Sequence, residues 1–231
     1  MAEDVTTDPE WRLGFFSSLI GILVRPTSTM RRILDQDRLW WVIPIVLLAL
    51  VSESLEGLDL GGLSEAFGSI HPAVLALMIL GLVALAGLIA LALFGALAGV
   101  ATLVGRYLLE GKGTYREVLT ALAWGLGPIA ISLLYKIPLM LIGGFGRRSV
   151  AHVSGDHFSW SASGLAAGNW GWAIVSGLLE ILFFGWFVVV SSQTVGVAHR
   201  FSGWHGFACL LLTWISPALI LLAVFLTAIT A

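Results

Sequence analysis

The chain has 231 residues, 58% of them hydrophobic and 11% charged, and a net charge of −2, with a mean hydropathy of +0.96. Soluble domains carry about 25% charged and 45–50% apolar residues, so this composition excludes an ordinary soluble domain and indicates a polytopic membrane protein with little soluble mass. One cysteine, Cys209, rules out an internal disulfide, and no Cys/His spacing of a zinc site occurs.

Residues 1–10 are polar and acidic, where a cleavable signal needs a basic start. From Trp11 to Val24 an apolar stripe (Trp11, Phe15, Leu19, Ile22, Leu23) recurs at helical spacing, with Ser17 and Ser18 off it. The segment is too short to cross about 30 Å of hydrocarbon, which predicts a helix lying in the interface. Arg25-Pro26 ends it. Thr27 or Ser28 is placed to cap a second short helix, with Met30, Ile33 and Leu34 on one side and Arg31, Arg32 and Arg38 available to lipid phosphates. The pair reads either as a membrane-surface docking platform or as a plain anchor.

A first span runs from about Leu39 to Leu55, with Trp40 and Trp41 at its entrance and Pro44 in its first turns; tryptophans belong to the interfacial belt. Glu53 and Glu56 close it. Leu63 to Ile70 can form a short surface helix. The second span is Pro72 to Leu109. Its uncharged part covers 33 residues, about 50 Å as a helix, so it must tilt, bend or project. Gly95 and Gly99 form a small-xxx-small pair suited to close helix contact. The third span runs from near Tyr115 to near Leu141. Pro128 predicts a kink in mid-span, preceded by Ala121, Ala123, Gly125 and Gly127, which thin the helix. Residues 142–169 are the largest polar connection. A fourth span covers Trp170 to about Val197, and a fifth begins near Phe207.

The predicted fold is thus all-α: a membrane bundle of five transmembrane helices (39–231), preceded by a cytoplasmic segment (1–38) with amphipathic interfacial helices. Nine Lys/Arg fall on one side of this topology: Arg12, Arg25, Arg31, Arg32, Arg38, Arg106, Lys112, Arg116 and Arg200. Three fall on the other: Lys136, Arg147 and Arg148. The positive-inside bias puts the N-terminus in the cytoplasm and the C-terminus outside. The composition suggests a bacterial inner membrane.

Glu180 lies inside its span, and an ionisable residue there is a functional candidate by default. Lys136 falls at a similar depth, which predicts a Glu180–Lys136 pair; a proton or substrate site is the alternative. Arg25, Arg31, Arg32, Arg106, Lys112, Tyr115 and Arg116 form the expected cytoplasmic interface, with Tyr115 near the N-terminal helices. Gly95, Gly99, Gly125 and Pro128 are the expected packing positions. His152, Asp156 and His157 read as polar loop residues rather than metal ligands, and His199 and His205 as headgroup contacts. Intramembrane protease signatures are incomplete: Ile174-Val175-Ser176-Gly177 lacks the first glycine of Gly-x-Ser-Gly, Asp156 stands alone, and no His-Glu-x-x-His occurs. No enzyme activity, catalytic residue, cofactor or metal is expected. The expected partners are membrane lipids and a protein, a second copy of the chain included, but not nucleic acid.

The segments Arg25-Pro26-Thr27-Ser28-Thr29-Met30, Trp40-Trp41 and Gly111-Lys112-Gly113-Thr114-Tyr115-Arg116-Glu117-Val118-Leu119, leading to Pro128, resemble the bacterial branch of the Yip family of five-span membrane proteins, over roughly residues 13–225. The chain is read as a non-enzymatic five-span scaffold of this type, whose cytoplasmic face, residues 11–38 with 105–117, binds lipid headgroups or a partner protein. Eukaryotic Yip proteins bind Rab GTPases. They carry Asp-Leu-Tyr-Gly-Pro before the first span and Tyr-Gly-Tyr in the third, where this chain reads Asp37-Arg38-Leu39-Trp40-Trp41 and Ala123-Trp124-Gly125. Rab binding is therefore not implied. A transporter or transport accessory subunit using Glu180 is the alternative function.

Overall fold

A computed structural model describes residues 14–37, 39–54, 71–141, 151–154, 157–160 and 170–230. It is helical apart from one hairpin. Helices α1 (Phe15–Val24) and α2 (Pro26–Asp35) come first, then a 3₁₀ turn (Leu39–Trp41) and α3 (Val42–Ser54). Next come α4 (Pro72–Leu103), a π-helical turn (Val104–Leu108), α5 (Tyr115–Gly125) and α6 (Gly127–Leu141). The hairpin β1 (Ala151–Ser154) and β2 (His157–Trp160) precedes α7 (Trp170–His199) and α8 (Gly203–Thr230). Among the described residues, Ala73–Leu108, Tyr115–Pro138 and Ile174–His199 are long and apolar enough to cross a membrane. Leu39–Ser54 is a shorter apolar helix, and α8 is 28 residues long.

Most deviations from expectation have local causes. Helix α2 starts at Pro26 itself, not at a Thr27 or Ser28 cap, because proline suits the first helical position. The third span breaks at Leu126, whose amide returns to the Ala123 carbonyl (3.0 Å); Pro128, with no amide proton, sits in the first turn of the next helix. Helix α8, expected as a fifth span, opens at Gly203, four residues before the expected start, with the Ser202 carbonyl accepting from the Gly206 amide (3.0 Å). The hairpin occupies part of the connection read as a polar loop and pairs His152 with Ser159 and His157 with Ser154. Asp156 and the surface helix expected at 63–70 lie outside the described residues, as do Arg12, Arg38, Glu56, Arg147 and Arg148.

One apolar core joins the N-terminal helices to the bundle. Leu19 and Ile22 of α1, Met30 and Ile33 of α2, Trp41, Ala98 and Ala101 of α4, Val118 and Trp124 of α5, Val195 of α7 and Cys209 of α8 share it. Helix α1 therefore does not simply lie on lipid. Leu19 and Ile22 sit at Gly127, where an added Cβ would come within 3.4 and 3.1 Å of them, while Phe16, Ile20 and Val24 point outward. Ser18, read as off the apolar stripe, is buried instead. Trp41, read as a belt residue, is also buried: its ring meets Phe15 (5.8 Å) and Trp124 (5.6 Å) edge-on, and only Trp40 stays exposed. Helix α4 buries its last turns at Ala98 and Ala101, as the π turn buries Val104, and leaves Leu77, Leu80, Leu82, Leu85 and Leu88 exposed. Such a face is tolerable in hydrocarbon, where lipid tails are as apolar as leucine.

Small residues set the closest crossings. A Cβ on Gly125 would lie 2.6 Å from Ser191 Oγ, and one on Gly206 would lie 2.8 Å from the Gly196 amide nitrogen. These contacts bring α7 against α5 and α8.

Candidate functional site

The 104–114 connection, the α7–α8 turn and α2 meet at one end of the bundle, here called the basic end. Thr114 caps α5: its Oγ accepts from the Glu117 amide (3.4 Å), and Glu117 Oε2 accepts from the Thr114 amide (2.7 Å), the reciprocal capping box. The glycines of this connection are dictated from elsewhere. His199, expected to meet headgroups, is buried. Its ring is cradled by Gly105, Gly111 and Gly113: a Cβ on Gly111 would lie 2.7 Å from Nδ1, one on Gly113 would lie 2.8 Å from it, and one on Gly105 would strike the ring. Phe201 stacks on the imidazole (5.0 Å, 10°), and the Lys112 amide donates to the His199 carbonyl (3.1 Å). Neither ring nitrogen has a well-formed hydrogen bond among the described residues; the Ala101 carbonyl offers a weaker one. His205 remains exposed, beside Ser202 (2.9 Å).

Next to this cradle lies a cleft of about 410 Å³, lined by Thr27, Arg31, Leu34, Asp35, Glu117, Gln193, Val197, Arg200, Phe201 and Gly203. Thr27 Oγ1 donates to Gln193 Oε1 (3.1 Å), tying α2 to α7. Arg200 has φ 65°. It holds the left-handed position of a Schellman ending, with its amide on the Val197 carbonyl (3.1 Å) and the Phe201 amide on the Gly196 carbonyl (2.8 Å). Glycine is usual there. Arg200→Gly is therefore expected to raise thermal stability by about 1 kcal/mol, measured as a melting shift in detergent, while removing a cleft charge. Of the predicted interface residues only Arg31 lines the cleft. Arg25, Arg32, Arg106 and Lys112 are exposed. Arg116 pairs with Asp37 (3.1 Å), both well exposed. Such a pair is worth about 0.2–1 kcal/mol, so Arg116→Ala is expected to leave the melting temperature nearly unchanged. Tyr115 packs on α4. Its hydroxyl donates to the Gly95 carbonyl (3.2 Å), and its ring covers the Gly95–Gly99 step of α4, where a Cβ on Gly95 would come within 3.3 Å of the hydroxyl. Asp35, Glu117, Gln193 and Arg200 were not singled out as site residues, because only tertiary packing brings them together.

Further along the bundle, α3, α6 and α7 bring a second group together. Lys136 Nζ lies 3.6 Å from Glu180 Oε1 and 3.4 Å from Glu53 Oε1, with the Ser52 carbonyl at 3.5 Å. The Lys136 side chain is 1% exposed, against 32% for Glu180 and 58% for Glu53. The Tyr135 hydroxyl donates to Glu180 Oε1, and Ser52 and Ser132 bond to each other (2.7 Å). The sequence pairs Lys136 with Glu180; among the described residues Glu53 joins them.

Long uncharged helices, small-residue crossings and a buried ion group facing helix neighbours define a polytopic helical membrane protein. More specifically, the Yip1 domain matches residues 20–225, and the chain belongs to the Yip family. No curated protein and no solved structure matches the chain.

Proposed function

We propose that the protein is a non-enzymatic scaffold of a bacterial inner membrane, with five spans and its basic end in the cytoplasm, where it docks lipid headgroups and offers the same face to a protein partner. The cleft carries this reading. Arg31, Asp35, Glu117 and Arg200 line it, yet none of the four is ion-paired among the described residues. Small residues in contact along the helices, such as Gly125 on Ser191, fit a packed scaffold. In phospholipid nanodiscs, backbone amides of α2 and of residues 200–206 are expected to exchange hydrogen more slowly than in maltoside micelles, which carry no phosphate headgroup. Equal exchange in both would refute headgroup docking. The topology has its own test: a reporter enzyme active only outside the cytoplasm, fused after Ala231, is expected to be active. Silence there, with an active cytoplasmic reporter, reverses the orientation.

The Glu53–Lys136–Glu180 group supports a second reading, a transport role through Glu180. Pairing of a nearly fully buried lysine with both carboxylates favours a structural role instead. Glu180→Gln that abolished a proton or solute flux in proteoliposomes would favour transport.

A further inference from the structure

The charges of the cleft are balanced, which restricts what it can hold. Two guanidiniums (Arg31, Arg200) and two carboxylates (Asp35, Glu117) share it with the neutral groups of Thr27 and Gln193. Opposite charges that line one cleft can pair with one another, and here none does among the described residues. Asp35 follows Arg31 by one helical turn on α2, a spacing at which side chains can meet. Glu117 gives its Oε2 to the Thr114 cap twice (2.7 and 2.8 Å), and Oε1 takes no part in that box. Arg200 is held by its left-handed backbone at the rim. Guanidinium forks suit phosphate oxygens, and carboxylates suit an ammonium. A purely anionic headgroup would meet two carboxylates, and a purely cationic ligand two guanidiniums.

We propose that the cleft binds the zwitterionic headgroup of a phosphatidylethanolamine, with phosphate on Arg31 and Arg200 and ammonium on Asp35 and Glu117. The inference rests on the headgroup-docking reading above and adds the class of headgroup. A lipid rather than a soluble phosphoammonium compound fits the rim. Gly203 lines the cleft, and the next residue, Trp204, is 81% exposed, with Phe207 also exposed; such a step of aromatic surface belongs at the membrane interface and leads acyl chains away from the polar end. A cleft of about 410 Å³ is within the range of small-ligand sites, roughly 300–1,000 Å³.

The test uses the full chain, purified in a mild detergent and titrated with short-chain phosphatidylethanolamine, with phosphatidylglycerol of the same chains and with soluble phosphoethanolamine, bound copies being read by native mass spectrometry. The expected result is at least tenfold tighter retention of phosphatidylethanolamine than of phosphatidylglycerol, and weaker retention of phosphoethanolamine. Asp35→Asn/Glu117→Gln should abolish the preference by weakening phosphatidylethanolamine, and Arg31→Gln should weaken both lipids. Arg200→Gly, which relieves the turn, should weaken binding in a protein that melts no lower than the parent, so that loss of fold cannot account for the change. Equal retention of both lipids, or a preference that survives Asp35→Asn/Glu117→Gln, overturns the headgroup assignment and leaves lipid docking standing. Retention of phosphoethanolamine as tight as that of the lipid overturns the lipid source. Retention of neither lipid overturns the docking reading together with this one.

Discussion

Lys136→Met is expected to be among the most damaging single changes in the bundle. It removes a cation that Glu53 and Glu180 both approach, at 3.4 and 3.6 Å. Breaking a buried ion pair from one side costs about 3–5 kcal/mol, because a charge is left uncompensated. The lower end applies here, since both carboxylates are partly exposed and screening reduces the penalty. Removing these three charges together is a different matter, for a buried ion group replaced by neutral residues of similar size is often neutral or stabilising. Lys136→Met/Glu53→Gln/Glu180→Gln should therefore recover most of the loss, and Gln at position 180 can still accept from Tyr135. Melting temperatures of the parent, the single variant and the triple variant in one detergent measure the effect. A triple variant no better than Lys136→Met alone would show that the lysine matters for packing and not for charge. A Lys136/Glu180 charge exchange is the less informative design, because the new carboxylate would face Glu53.

Gly105→Ala is the second large effect, about 1–3 kcal/mol as an overpacking change in a filled site. The three nearest neighbours of the added methyl all belong to the His199 ring, so His199→Ala should relieve it and the two changes should be strongly non-additive. Gly113→Ala provides the contrast. Its methyl would lie 2.8 Å from the Ala198 backbone carbonyl as well as from the ring, and removal of the ring cannot move a carbonyl. A double-mutant cycle by thermal unfolding should therefore show relief by His199→Ala for Gly105→Ala and little for Gly113→Ala. Equal relief in both cycles would contradict the cradle geometry.

How much was legible in the sequence follows from the range of each signal. Hydropathy and Lys/Arg bias are local sums, so the long apolar helices and a basic end can be read directly. Pro128 marks a break, though its place, Leu126, depends on which amide gives up its bond. Depth counting brings Lys136 and Glu180 level, but nothing in the chain shows that Glu53, from another helix, completes the group. The glycines at 105, 111 and 113 look like turn formers; their reason is a histidine ring some ninety residues away. Ser18 looks like a surface residue because helical spacing marks one apolar stripe, whereas α1 is apolar on its outward face too and is held at Gly127; Trp41 looks like a belt residue because it stands at the entrance of a span. The cleft combines residues from α2, α5, α7 and the α7–α8 turn, and no single segment carries its pattern.

The central claim is that α1 and α2 are a fixed part of the docking face and not a detachable anchor. The most direct measurement is cross-linking in native membranes of a Thr27→Cys/Gln193→Cys variant in a Cys209→Ala background, with a short bifunctional thiol reagent. The Thr27–Gln193 hydrogen bond predicts rapid intramolecular linkage in nearly all molecules, and none for Phe16→Cys/Gln193→Cys, whose first position points away from the bundle. Equal linkage in the two variants, or none in either while both thiols react singly, would contradict it.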